Sequence, residues 1–220
     1  MPDGSFQLRI PLLVDRHIIV VIKPHGLHVI PDRDKKQPET LKSLLTRDFG
    51  PVFVVHRLDA GTGGVMVFAR TSDSHRNLCG QFESGSVKKQ YLALVRGTFD
   101  YPLTTMLPIS GKPDHGRYRL NFRSGKPAAT SFYPVSYGKS ATLVRAELHT
   151  GRTHQIRVHL KAFKHPLYQD FLYGEPCEDR RLSLFAAGLK FVHPVTGEPA
   201  VFEEPLSEFM VELCRETGII

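Results

Sequence analysis

Apolar residues run through this chain in two rhythms, one of period two and one near three and a half. Residues 18–22, IIVVI, follow a turn at 14–17 and read as a strand that enters a Pro-Gly loop. TLKSLLTRDFG changes the rhythm: Thr40 can cap a helix, Leu41, Leu44 and Leu45 fall on one side of it, and Gly50 stops it. Two β-rich runs, 52–56 and 64–69, then flank a turn in HRLDAGTGG. TSDSHRNLCGQFESGS is again helical, with Leu78 and Phe82 four apart and Gly85 as its stop. In KKQYLALVRG, Tyr91, Ala93 and Val95 share one strand face, and Leu92 and Leu94 share the other.

Further strands are predicted at RYRLNF (117–122), TSFYPVSYG (130–138) and ATLVRAELHT (141–150), where turn residues separate β-rich runs. TGRTHQIRVHLKAFKHP returns to helical spacing through Ile156, Leu160 and Phe163, which predicts a helix over 153–163 capped by Thr153 and ended before Pro166. Two late strands, LKFVHP and PAVFEE, precede an amphipathic helix at 205–216. The sum is an α+β protein read as one domain over 1–220, with no linker dividing it.

Charge narrows the partner. Twenty-nine lysines and arginines against 22 aspartates and glutamates leave a formal charge of +7, which suits a polyanion. The basic residues gather around 75–96, 112–126 and 152–165, so several segments can line one groove, or lie as solvated lysines on separate faces. Cys79, Cys177 and Cys214 are far apart and form no C-x-x-C pair, so neither a disulfide framework nor a zinc knuckle is encoded. The apolar run at 18–22 is far too short to span a bilayer. A cytoplasmic monomer without a membrane anchor is expected.

Candidate chemistry centres on two places. Asp59 lies in a Gly-rich turn, where an aspartate commonly bonds its own backbone and needs no further role. Arg57 two residues earlier, and a turn longer than a simple hairpin requires, open a second reading in which the loop carries a site. On the later helix, His154, Arg157 and Lys161 are spaced by three and four, opposite Ile156, Leu160 and Phe163. That cationic stripe is either a solvated helix face or a phosphate-binding surface in which one arginine pairs with a carboxylate. His154, His159 and His165 are not accompanied by H-E-x-x-H or an acidic cluster, so no metal is expected. GTGG matches no nucleotide-binding loop, and no G-x-S-x-G elbow is present.

HRLDAGTGG at 56–64, KKQYLALVRG at 88–97 and GRTHQIRVHL at 151–160 together resemble, in order, the signature segments of the RluA-type pseudouridine synthases. IIVVIKPHGLHVIP, HPLYQDFLYG and RLSLFAAGLKFVHPVTGEP resemble further segments of that family, so the resemblance covers nearly the whole chain. It implies a mixed, mainly antiparallel sheet in two subdomains flanked by helices, with a central cleft, and an enzyme that isomerises uridine in RNA to pseudouridine. By the same resemblance Asp59 matches the nucleophilic aspartate, Tyr91 the tyrosine assigned to proton transfer, Arg157 the basic residue that pairs with the aspartate, and Arg57 the arginine that helps displace the target nucleotide. No cofactor is implied. Lys88, Lys89, Arg152 and His154 are expected to contact phosphates of ribosomal or transfer RNA.

The chain departs from the family pattern at Gly63, where Ser is usual, at Gln169 before Asp170, where Gly is usual, and at Phe185 before Ala186, where His is usual. None replaces a catalytic group, so they bear on loop geometry and substrate fit. The helical S4 module that precedes the catalytic domain in some relatives is not expected here, and substrate choice is expected to come from the catalytic domain. A catalytically silent RNA-binding protein and a metal-dependent phosphoesterase are the competing readings.

Overall fold

The computed structural model describes residues 11–31 and 39–220. The chain divides into two compact units, one made of Met1–Val87 with Gly188–Glu204, the other of Lys88–Ala187 with Pro205–Ile220.

In the first unit, β1 (Leu13–Val14) and β2 (Ile18–Lys23) are joined by a turn that Asp15 closes, its carboxylate accepting from the N–H groups of His17 and Ile18. Helix α1 (Leu41–Phe49) begins at Thr40 in a full capping box with Ser43 and buries Leu41, Leu44 and Leu45, the residues its periodicity selects. The run at 52–56 is a strand only at β3 (Phe53–Val54), whereas β4 (Gly63–Ala69) is buried along its whole length. β4 takes β2 on one edge, with Ile18 opposite Ala69 and Lys23 opposite Gly64, and β3 pairs with it as well. Helix α2 (Ser72–Glu83), capped by Thr71, lays Leu78 onto a core of Ile18, Val20, Val65, Val67 and Phe191.

The second unit is built on β5 (Lys88–Arg96), β6 (Leu103–Thr105), β7 (Thr130–Tyr137) and β8 (Ala141–Leu148). β8 lies between β5 and β7, and β6 takes the far edge of β7. Pro134 has no N–H to give to the ladder, and the register slips between Pro134 and Ser136. Two helices complete this unit, α3 (Gln155–Ala162) and α4 (Glu208–Glu216), the latter capped by Ser207 and burying Phe209, Met210, Leu213 and Cys214. β9 (Leu184–Val192) starts five residues before the predicted strand, and its last five residues pair with β10 (Pro199–Glu203) in the first unit. Every pairing within either unit is antiparallel among those described.

Two expectations are corrected. Residues 117–122 form no strand: Arg117 and Leu120 make only isolated bridges, because the backbone turns back at Asn121, whose side-chain oxygen takes the N–H groups of Arg123 and Ser124. The helix predicted to start at Thr153 starts after His154, which sits in the left-handed region at φ 57° and supplies no side-chain cap. Gln155 closes that turn instead, its carbonyl oxygen accepting from the Arg152 N–H and the Thr150 hydroxyl.

Candidate active site

Asp59 is half-buried in the turn before β4, where the Thr62 N–H donates to the Asp59 carbonyl at 3.0 Å. Two neighbours in sequence fix how it is presented. Leu58 is buried, whereas Arg57 is exposed, so the chain plugs into the unit at one residue and offers its charges at the flanking two. His56 anchors the approach by accepting from the Val67 N–H and stacking on Phe82 at 4.5 Å.

Beneath this turn lies a lysine to which the KPHG run assigns no chemical role on its own. Lys23 is fully buried, and its three N–H bonds reach the carbonyls of Pro24 (2.9 Å), Leu27 (2.7 Å) and Ala60 (2.9 Å). The ammonium thus ties the Pro-Gly loop to the residue after Asp59. Burial pulls its pKa down to about 7, and the Asp59 carboxylate works in the opposite direction. The same two loops are joined again by the Gly26 N–H to the Ala60 carbonyl and by His25 Nδ1 to the Gly61 carbonyl.

That second link explains Gly63. A Cβ built there would lie 2.5 Å from Cδ2 of the His25 ring, so the imidazole occupies the space a side chain would need. The residue at 63 and the histidine at 25 are fitted to one another.

In the second unit, Tyr91 is 9% exposed on β5, opposite Ala146 of β8. Lys88 is exposed. Lys89 is half-buried, with its ammonium beside Gly151, and burial lowers its pKa. The register therefore brings Lys89 to the loop that carries Arg152. Arg152 is exposed, and its Nε donates to the Pro127 carbonyl at 2.9 Å.

The cationic stripe on α3 is not a solvated face. All residues from Gln155 to Leu160 are buried, and Arg157 is only 2% exposed. Its guanidinium forks onto Asp170, with Nε at 2.8 Å from one oxygen and Nη2 at 2.7 Å from the other. Asp170 is equally buried and also accepts from the N–H groups of Leu172 and Tyr173, while the Phe171 and Tyr173 rings flank the guanidinium. Asp170 is legible in the YQD segment, but only the fold shows that it orients Arg157. His154 is half-buried, with Nδ1 against the Tyr173 hydroxyl at 2.9 Å, and Lys161 is exposed.

His159 uses both ring nitrogens internally, on the Thr130 hydroxyl and the Leu107 carbonyl, and burial lowers its pKa. Among the described residues no group of three or more His, Cys, Asp or Glu is placed to hold a metal ion, and no helix is long and apolar enough to cross a membrane. What the two units offer chemically is a braced carboxylate in one, and a buried, oriented guanidinium with a largely buried phenol in the other.

A family model described as RNA pseudouridylate synthase matches residues 17–162. The chain is 37% identical over 206 residues to the dual-specificity RNA pseudouridine synthase RluA of Escherichia coli K12, covering 88% of this chain and 91% of that protein. It is 35% identical over 232 residues to the ribosomal large subunit pseudouridine synthase D of Nitrosomonas europaea, covering 97% of this chain and 67% of that one. Among solved structures, human RNA pseudouridylate synthase domain containing 1 matches over all of both chains with a TM-score of 0.78 at 25% identity. Human RNA pseudouridylate synthase domain containing 4 matches 94% of this chain and 92% of its own with a TM-score of 0.76; at 24% identity it speaks for the fold alone.

Proposed function

The chain belongs to the RNA pseudouridylate synthase family as an RluA-type member, an isomerase, and from that premise we propose that it converts uridines of ribosomal or transfer RNA through Asp59 as nucleophile. The observation that carries the assignment is the half-buried Asp59 carboxylate on a turn bound to Lys23 through the Ala60 carbonyl. A turn former alone would not need a buried ammonium beneath it.

The reaction rearranges one nucleotide with no change in composition. The bond from C1′ to N1 of uracil breaks, the base turns, and C5 bonds to C1′; C5 gives up its proton and N1 gains one. A carboxylate suits the developing charge at the sugar, and water must be kept from trapping it. Tyr91, with its hydroxyl on a ring held in a strand, serves the proton transfer at C5, a role worth on the order of 10²- to 10⁴-fold. Arg157, oriented and charge-balanced by Asp170, takes part as a fixed guanidinium donor rather than as a free positive charge. A uridine in a stem must be extruded at a cost of a few kcal/mol, which Arg57 and phosphate contacts from Lys88, Lys89 and Arg152 offset. The protein acts as a cytoplasmic monomer and needs no metal.

Carbodiimide mapping of ribosomal and transfer RNA, incubated with wild type and with Asp59→Asn, tests this. Wild type should introduce pseudouridine in the presence of chelator, and the variant should introduce none. Modification by Asp59→Asn would remove the nucleophile assignment. RNA that binds without being modified by wild type would favour the silent RNA-binding reading.

A further inference from the structure

We propose that Phe122 is a stacking platform for a nucleobase of the bound RNA, carried on a basic arm formed by residues 108–127 of the second unit. The inference rests on the chain's acting on RNA and adds a contact outside the residues already assigned to the site.

An isolated exposed phenylalanine is common on protein surfaces and by itself means little. Three observations set this one apart. Its ring is 74% exposed, although the neighbouring arm residues Tyr118 and Leu120 pack inward on Ile109, Val158 and Tyr173. The turn that presents it is held firmly: Asn121 N–H donates to the Pro108 carbonyl, Asn121 Oδ1 accepts from Arg123 and Ser124, and Gly125 N–H returns to the Asn121 carbonyl. Ile109 and Lys126 exchange both backbone hydrogen bonds, at 3.0 and 2.7 Å. The ring is thus presented by an ordered backbone, and little further ordering is required when a base arrives.

Charge selects the occupant. Residues 112–126 hold five lysines or arginines, Lys112, Arg117, Arg119, Arg123 and Lys126, against the single acid Asp114. Arg123, which follows Phe122 in sequence, is exposed. An apolar ring on an arm rich in cations matches a strand that offers phosphates and flat bases together, and stacking of this kind tolerates any base. The arm is also bolted to the helix that carries Arg157. Tyr118 N–H donates to the Tyr173 hydroxyl at 2.7 Å, the same hydroxyl meets His154 Nδ1, and the Tyr118 and His154 rings pack edge to face. Phe122 is therefore a substrate-contacting residue on the frame that orients the catalytic arginine.

The protein contains no tryptophan, so Phe122→Trp provides a single emission reporter on the arm. Titration with a short mixed-sequence single-stranded RNA should quench that emission, and the same backbone bearing abasic residues should not. Phe122→Ala should weaken binding about 5- to 100-fold and raise KM without lowering kcat, while Phe122→Tyr should bind like wild type. Because this substitution removes no charge, the salt dependence of Phe122→Ala should match wild type, whereas Arg123→Ala should lower the slope by the equivalent of about one phosphate. Unquenched emission from a variant that still binds and modifies RNA, or unchanged binding by Phe122→Ala, would overturn the stacking role and leave the enzyme reading intact. Quenching by an acidic polypeptide equal to that by RNA would reassign the ring to a protein partner. Wild type that binds no RNA would remove the enzyme reading and this inference together.

Discussion

At the scale of single residues, what matters in this protein is what lies directly beneath or beside the charged groups of the candidate site. Lys23 is the clearest case. Below its folded pKa of about 7 the ammonium is charged in both folded and unfolded states, and the cost of burying it is fully present. Between about 7 and the ordinary value of 10.5, the unfolded chain holds a proton that the folded one does not, so its contribution to stability rises with pH across that window. The stability difference between wild type and Lys23→Met, measured by urea unfolding from pH 6 to 10, should therefore grow in favour of wild type; a flat difference would count against a burial-depressed lysine. Gly63 makes a second point. Gly63→Ala should cost ~1–3 kcal/mol by forcing the His25 ring aside, and adding His25→Ala should recover much of it in a double-mutant cycle, because the three atoms nearest the new Cβ all belong to that ring. HRLDAGTGG shows that the loop is unusual; the side chain that shapes it lies 38 residues earlier in sequence (63 − 25), beyond any local pattern.

At the scale of elements, helix α3 departs furthest from its local pattern. Its spacing of His154, Arg157 and Lys161 against Ile156 and Leu160 looks amphipathic, yet Gln155 to Leu160 are all buried and Arg157 and His159 bond inward, while Lys161 stays exposed. Periodicity reports which residues share a face and cannot report whether the polar face also receives a partner. Here Asp170 and Thr130 cover it. Asp170→Asn keeps an oxygen for the Leu172 and Tyr173 N–H groups but removes the charge that matches Arg157, and should destabilise the protein by about 3–5 kcal/mol. A loss under about 1 kcal/mol in chemical denaturation would show that other groups carry the guanidinium. By contrast, α1 is legible from sequence, since Thr40 caps it through a bond to Ser43, and α4 is legible from its amphipathic spacing, although it starts at Glu208, where Ser207 caps it, and not at 205. The segment 117–122 imitates a strand because Tyr118 and Leu120 alternate with polar residues, while Asn121 turns the backbone before a ladder can form.

At the scale of the whole molecule, an excess of seven positive charges gives the protein a field suited to RNA. Binding should weaken linearly with the logarithm of salt, and charge reversal at Lys88 or Arg152, both exposed, should flatten that slope by about 0.7 for each single-strand phosphate that the side chain had neutralised. Filter binding at several salt concentrations checks this; slopes unchanged by both variants would move the phosphate track elsewhere. Taken alone, the sequence determined the α+β class, most element positions, the sign of the partner's charge and the family, because these depend on local periodicity, composition and ordered motifs. Only the tertiary structure decided that Lys23 braces the Asp59 turn, that Asp170 fixes Arg157, and that His25 excludes a side chain at 63. Each of those joins residues distant along the chain, and each is set by how close two backbones come and which polar groups lose water together. Neither quantity is written in a run of neighbouring residues.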